Sequence, residues 1–499
     1  MEAVVRCRKG LASGCYKAGL LAWAVLALMF PLRAQELPAG TRLEARLCTA
    51  TGSRLSHRGD PVEATIIAPV GANGHILVPQ GATLLGSVTE AEAIGLGLRH
   101  FTASLTYEFS TLRFPDGATA AIKTQLVEVE TAKEHVDQLG TVHGIHPFVN
   151  LSSSLSFYTF PFLVIDPAVG VPVLAVKSLI APSANPEIYF PVGTEIILRT
   201  TSTVKVPPVR GDFASVQRLS ASAQSEFGQL LKRSAQRAFI GNRPSDIVNL
   251  MLIGNRAPID RAFRASGWSW AQRKSPISLY RMYSALSRRH GYAKAPMNGL
   301  RLNGATSAFV RQKSLDTVEK RHHVRFWQYP GRTDVWLGTA AKDAGFRFNL
   351  THWTHFTDPQ IDHERAKVVD DLAFTGCVTA AGLLPRTPGE LKRDPNAKHP
   401  VVTDGKVAVV QLNACDYPHL MAGAGDTSVM HQHGRLARAV NAFRDDLVRS
   451  NVFFTTYNTF RWLERHKTEA AAGSTSPTKG DSREPGSANL PGLLETRAE

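Results

Sequence analysis

The sequence predicts a multidomain chain, with an N-terminal all-β domain of barrel or sandwich type followed by a C-terminal α/β domain built on a mixed sheet. Three observations point there. Alternating apolar residues and tight turns fill residues 37–206, one turn pattern recurs three times in that stretch, and from about Gly241 helix-period and strand-period segments interleave. The 499 residues allow two or three domains, each with a core of its own. With 43% apolar and 20% charged residues the composition is that of a folded globular protein. It excludes a disordered chain and a polytopic membrane protein for most of the length.

The first element is an N-terminal leader. Arg6, Arg8, Lys9 and Lys17 precede an apolar run from Ala18 to Phe30, 13 residues long. That suits a signal-peptide core and falls short of the roughly 20 residues of an unaided span. Cleavage is expected between Ala34 and Gln35, making residues 1–34 a signal peptide; a retained anchor is the other reading. The protein is accordingly expected to be exported, to the periplasm or outer envelope. Cys7 and Cys15 would leave with the leader. An oxidising compartment then permits one disulfide, Cys377–Cys415, with Cys48 left over; three buried thiols are the alternative.

Residues 35–206 form the β-rich domain. From Phe101 to Phe109 apolar and polar residues alternate strictly, placing Phe101, Ala103, Leu105, Tyr107 and Phe109 on one buried face. The phase slips at Ser110-Thr111, which predicts a bulge. Asn73-Gly74 and Asp116-Gly117 are hairpin turns, since both pairs tolerate positive φ. The recurring pattern is Leu37-Pro-Ala-Gly-Thr, Val78-Pro-Gln-Gly-Ala and Phe190-Pro-Val-Gly-Thr. In each, proline sets φ, glycine relaxes the turn and a strand follows. An apolar insert spans residues 145–181. Its prolines, Pro161, Pro167 and Pro172, are expected to break any helix, leaving either a core-packing insert or an apolar flap that touches a membrane or partner.

The order LPAGTRLEARL, PVEATIIAPVGANGHILVPQGATLLGSV, TLRFPDGATAAI and EIYFPVGTEIILRT resembles the β-barrel domain of TrbI-type conjugal-transfer and type IV secretion channel proteins. That resemblance covers about 170 residues. It implies a barrel fold with a hydrophobic excursion late in the domain, used in that family at the outer membrane.

Residues 207–242 read as a polar helix or linker, 243–466 as the α/β domain and 467–499 as a disordered tail rich in Ser, Thr, Pro, Gly and charge. Ile247–Ile253 is apolar except for Asn249, which predicts a strand buried on both faces. Ala257–Ala265 is a short helix, and Ser275-Pro276 caps and opens another, running to about His290. The segment 401–412 reads as a hairpin turning at Asp404-Gly405, and a last helix is expected from Leu436 to Val448.

The densest polar cluster lies between Arg321 and Leu372 and reads as three strands and a helix. Alternation in the first strand puts His323, Arg325 and Trp327 opposite His322, Val324 and Phe326. In the third strand Arg347, Trp353 and His355 share a face. Asp358-Pro359 then opens a helix on which Arg365 falls in the apolar stripe with Ile361, Val368 and Leu372. An arginine so placed needs partners, and Asp358 and Asp362 are nearest in sequence, with Glu364 adjoining. Two readings stay open. In one, Arg365 clamps helix to sheet and the cluster is architectural. In the other, His323, His355, Asp358 and Asp362 bind a divalent metal such as zinc or manganese, or a phosphate.

The string DIVNLMLIGNRAPIDRAFRASGW, with RHHVRFW, DVWLGTAAKDAGF and THFTDPQIDHERAKVVDDL, is similar to the LssY C-terminal domain family over roughly residues 243–465. Some members resemble fusions to membrane phosphatidic-acid-phosphatase-like domains, which implies work near lipid. Here a β domain stands in place of that membrane portion, so phosphatase chemistry does not carry over.

The functional expectation is a non-catalytic interaction or assembly role in the bacterial envelope. Its alternatives are a metal-dependent hydrolase of phosphate-bearing lipid or glycan, with Arg325 and Arg365 stabilising anionic charge, and a carbohydrate-binding module stacking sugars on Trp327 and Trp336. No cofactor is evident beyond the metal. The net charge of +15 fits an envelope protein, a lipid surface or an anionic glycan as partner. The basic residues read as scattered and no nucleic-acid signature is present, so no nucleic-acid partner is expected.

Overall fold

The computed structural model describes residues 35–413, apart from 73–74, 95–101, 146–158, 160–161, 163–164, 181–183, 209–215, 314–316, 350–351 and 387–400. The leader, Cys415, the expected helix from Leu436 and the C-terminal tail lie outside the described residues. The protein is mostly β, with two nine-stranded sheets as its main bodies.

In the N-terminal sheet the strands Thr124–Val129, Glu195–Thr200, Arg42–Leu47, Pro61–Ile66, Thr83–Glu92 and Ser104–Arg113 pair antiparallel in that order. The first of these returns alongside the last, so the sheet is nearly closed. Gln35–Leu37 pairs with Val204–Val206, bringing the two ends of the segment together. The three proline–glycine repeats all form the same turn. Gly40, Gly81 and Gly193 take φ of +85°, +88° and +95°, and the residue after each glycine donates back to the proline carbonyl. Each turn launches one barrel strand, so the repeat is a device for reversing the chain at a barrel end. The bulge is present: the register jumps from Leu85↔Thr111 to Gly86↔Phe109, leaving Ser110 as the extra residue. Asp116-Gly117 turns the chain from Ser104–Arg113 into Thr119–Ala121. The strands Val70–Ala72 and His75–Val78 pair as a hairpin, whose turn residues Asn73-Gly74 lie outside the described residues.

The insert corrects the expectation placed on its prolines. Pro167–Ile180 is a helix that runs through Pro172. Asp166 accepts from the Ala168 and Gly170 N–H groups, and Pro167 stands in the first turn, where no N–H is needed. Pro172 therefore withholds only one N–H from the ladder. Among the described residues this helix buries one stripe and leaves most of the rest open. Gly170, Leu174 and Lys177 turn inward along one helical stripe, while Val169, Val171, Val176 and Ile180 face outward.

The C-terminal sheet is mixed. Val378–Pro385, Lys406–Leu412, Leu250–Ile253, Val335–Asn349, Lys320–Gln328 and Phe309–Lys313 run side by side, with Leu250–Ile253 and Lys406–Leu412 parallel. Leu250–Ile253 is central, and Leu250, Met251 and Leu252 are fully buried, as their unbroken apolarity predicts. Asn249 extends the pairing with its side chain, donating to the Ala340 carbonyl (3.0 Å) and accepting from the Ala340 N–H (2.7 Å). One face packs against the helices Arg256–Ala265 and Ile361–Phe374 through Ile259, Phe263, Val368 and Leu372. The other packs against Ala221–Arg233 through Phe227 and Leu231. That last helix occupies the expected linker, yet it packs onto the sheet.

Two boundaries shift. The cluster's second and third strands are one long strand, Val335–Asn349, which reverses into His352–Thr357 so that Trp353 pairs with Phe348 and His355 with Phe346. The expected hairpin at Asp404-Gly405 does not form within 401–412. The chain bends there, Gly405 at φ +75°, and Lys406–Leu412 takes its antiparallel partner from Val378–Pro385 instead. Ser275 caps the helix Pro276–Arg288 as expected, in a reciprocal capping box with Ser278.

Candidate functional site

Strand alternation sends His322 and His323 to opposite faces, and the structure surrounds each with a separate charged group. His322 faces the helix Ile361–Phe374. Its Nδ1 lies 2.7 Å from Glu364 Oε2, and its Nε2 lies 3.4 Å from Glu130 Oε2, a carboxylate of the barrel segment. Lys342 closes the group, 2.6 Å from the same Glu130 oxygen. Burial alone would disfavour the imidazolium, but the charges of Glu364 and Glu130 outweigh it and raise the His322 pKa to about 9. Burial likewise opposes ionisation of Glu130, yet His322 and Lys342 hold that carboxyl below the usual range.

Beside this group lies a second, fully buried one. Arg46 and Glu195 stand directly opposite each other on adjacent barrel strands, on the outer face, and pair with one another. Lys313 Nζ is 2.6 Å from Glu195 Oε1 and 3.1 Å from Asp371 Oδ2, and Lys367 Nζ reaches Glu195 Oε2. The Trp268 indole N–H donates to Asp371 at 2.8 Å. Three cations thus meet two carboxylates. Burial and the neighbouring Arg46 push Lys313 down, whereas Asp371 and Glu195 outweigh burial at Lys367 and push it up. Glu195 is held well below its ordinary range, the charges of Lys313, Lys367 and Arg46 overriding its burial.

On the opposite face His323 stands 3.8 Å from both Asp246 and Asp343. Arg325 donates to Asp246 (2.7 Å) and Arg321 to Asp343 (2.7 Å). Arg365 forms a fourth group. It donates to Asp404 through both terminal nitrogens (2.8 and 3.0 Å), to Asp362 (3.1 Å) and to the Lys406 carbonyl (2.8 Å). Asp362 is therefore a partner of Arg365, as its spacing predicts, and Asp358 is not. Asp358 accepts from the Gln360 N–H at the helix start instead.

Of the four residues expected around a metal, His323, Asp358 and Asp362 make separate contacts among the described residues. His323 and Asp362 share no partner, Asp358 is engaged locally, and the His355 side chain lies outside the described residues. Among the described residues no three His, Cys, Asp or Glu side chains are grouped so as to hold a metal ion. Trp327 and Trp336 are buried, donating to the Ala305 and Gly254 carbonyls, so neither offers a ring face to a sugar. Cys377 is disulfide-bonded and Cys48 is a free thiol; Cys415, the partner suggested by the sequence, lies outside the described residues.

Both sides of this arrangement, the paired histidine strand and the Arg365 helix, fall in one segment. Residues 235–407 match the family model of the LssY C-terminus. The match coincides with the C-terminal sheet up to the start of its Lys406–Leu412 strand. A solved structure, ComB10 of the Com type IV secretion system of Helicobacter pylori, is similar at 13% identity over 36% of this chain and 95% of that one, with a TM-score of 0.21. At that score the likeness decides nothing about function. No curated protein matches the chain.

The LssY-type segment and the barrel meet through residues that carry no distinguishing signal in the sequence: Arg46, Glu195, Lys313, Lys367 and Asp371. Arg46 and Glu195 sit at the outward phase of their strands, where charge signals water. Lys367 and Asp371 make an ordinary i,i+4 pair on a helix. The one available hint is charge on a helix already carrying a long apolar stripe, which says nothing about what covers it. Chemically, the arrangement supplies paired opposite charges in a buried junction. Every ionised group described in it has an opposite charge within 4 Å. Removing one partner from such pairing would leave the others uncompensated.

Proposed function

We propose that this protein is a non-catalytic interaction or assembly component of the bacterial cell envelope, exported and working near a membrane. The observation that carries the reading is the exposed apolar surface of the helix Pro167–Ile180. Val169, Val171 and Val176 are each about half exposed at 49, 49 and 54%, on a helix whose buried positions, among the described residues, are Gly170, Leu174 and Lys177. Apolar area held open on an ordered helix favours contact with a partner. Among the described residues no helix is long and apolar enough to cross a membrane. The pairing of His322, His323 and Arg365 with internal carboxylates supports the architectural reading of the polar cluster over the hydrolase.

A photo-activatable residue at Val171 or Val176, in the full chain expressed in cells, tests this. Cross-links to an envelope protein are expected, with none from a control placed at Lys205. Absence of such cross-links, or hydrolysis of a phosphate monoester or diester that Asp362→Asn abolishes, would sink the reading.

A further inference from the structure

Counted by segment, the basic residues are not scattered. From residue 261 to 315 the chain contains 11 Lys and Arg and no Asp or Glu, so 55 residues carry +11 of the net +15. Some of that charge is consumed inside: Arg311 pairs with Asp260 and lies over the Trp270 ring, Lys313 joins the junction, and Arg289 reaches Glu319. Of the remainder, four lie on the helix Pro276–Arg288 or just before it. Arg273, Lys274, Arg281 and Arg288 are exposed, and among the described residues none of them forms an ion pair.

That helix packs Met282, Ala285 and Leu286 into a small apolar cluster with Ala295 and Val318, yet large apolar side chains also face solvent. Its inner face holds Ser278 and Ala285, while its solvent crest carries Ile277, Leu279, Tyr280 and Tyr283, with Ile277 and Tyr280 64 and 62% exposed. At 100° per residue Arg281 and Arg288 fall together on one flank of the crest. The Tyr283 hydroxyl donates to the Ile180 carbonyl, so the crest abuts the end of the apolar helix of the barrel insert.

We infer that the helix Pro276–Arg288 is a docking face for an anionic lipid surface. Aliphatic and tyrosine side chains on the crest enter the headgroup–acyl boundary, and the flanking guanidinium groups meet lipid phosphates. Charge complementarity selects the occupant: Arg273, Lys274, Arg281 and Arg288 are exposed without an ion-pair partner among the described residues, and the helix itself carries no acid, so the face attracts an anionic partner. The crest selects among anionic partners, because Ile277 and Leu279 gain nothing from a phosphate backbone or a base but are accommodated by hydrocarbon. The inference deepens the envelope reading and rests on it only for the presence of a membrane.

Hydrogen exchange of the full chain, with and without vesicles, tests it where the leader cannot contribute. Vesicles containing phosphatidylglycerol are expected to slow exchange at 276–288 at least fivefold, and pure phosphatidylcholine vesicles to leave it unchanged. The variant Arg281→Glu/Arg288→Glu should abolish that protection, and 0.5 M salt should weaken it. Ile277→Ser/Tyr280→Ser should lower it with the charge intact. Equal protection by both vesicle types, protection surviving the charge reversal, or protection by a DNA duplex matching that by vesicles would each overturn the lipid face. If cross-linking from Val171 persists while 276–288 stays unprotected, the lipid face falls and the envelope-partner reading stands. If the cross-links are lost while protection is intact, the envelope-partner reading falls and the lipid face stands.

Discussion

Lys313 of the C-terminal sheet places its ammonium 2.6 Å from Glu195 of the barrel, with both side chains about 95% buried. This pair, with Arg46, Lys367 and Asp371, joins the LssY-type segment to the β-rich one through charge where most interfaces would use apolar contact. Removing one partner of a buried pair is far costlier than never having had it, because the survivors are left uncompensated. Glu195→Gln leaves three cations facing Asp371 alone. It is expected to destabilise the protein by about 3–5 kcal/mol, read as a lowered midpoint in urea unfolding, and Glu195→Asp should recover part of the loss.

The His322 imidazole gives the junction a pH dependence. Its pKa in the folded state, about 9, lies above the ordinary 6.5. Protonated His322 thus contributes stability that is complete below about pH 6.5 and disappears as pH rises through 9. Stability is expected to fall by about 3 kcal/mol across that window. In His322→Gln the fall should be largely absent in thermal unfolding followed from pH 6 to 9.5. Glu130 acts with the opposite sign. Its lowered carboxyl contributes stability above the usual carboxylate range, which is lost as pH falls below it.

Arg365 holds the bend before Lys406–Leu412 by a two-nitrogen contact with Asp404. A lysine keeps the charge but cannot match the planar fork. Arg365→Lys should cost about 1–3 kcal/mol, and Asp404→Asn a similar amount. Exchange protection of the Val407–Val410 amides should drop in both before the global transition.

If the cluster is architectural, chelation should not touch it. Dialysis of the purified chain against EDTA is expected to leave the Tm within 1 °C or so of its starting value (about 1 kcal/mol for a chain of this size). Elemental analysis should find no stoichiometric zinc or manganese. A Tm drop reversed by added zinc would instead return His323 and Asp362 to the metal reading.

Local periodicity makes much of the fold legible. The strand alternation of 103–109, the bulge at Ser110, the proline–glycine turns and the Ser275 cap all rest on contacts within a few residues. They survive whatever the rest of the chain does. The elements that differ from expectation depend on longer range. Pro172 reads as a breaker, although a single missing N–H does not end a helix already closed on both sides. Trp327 and Trp336 look available because alternation shows which face a ring shares but not that both faces of a sheet are covered. The basic stretch at 261–315 is countable in the sequence, but net charge taken over the whole chain hides it.

By itself the sequence determined that a β-rich segment precedes an LssY-type one, where their strands and turns lie, and that His322 and His323 point opposite ways. Only the tertiary structure decided what those histidines meet. An outward Arg46 or Glu195 is written identically whether water or another sheet lies over it, because strand phase encodes the side and not the cover. Docking of the helix Ile361–Phe374 across the barrel turned those surface charges into a buried network and bound Arg365 to Asp404, 39 residues away. That choice is made by long-range packing, which no local period records.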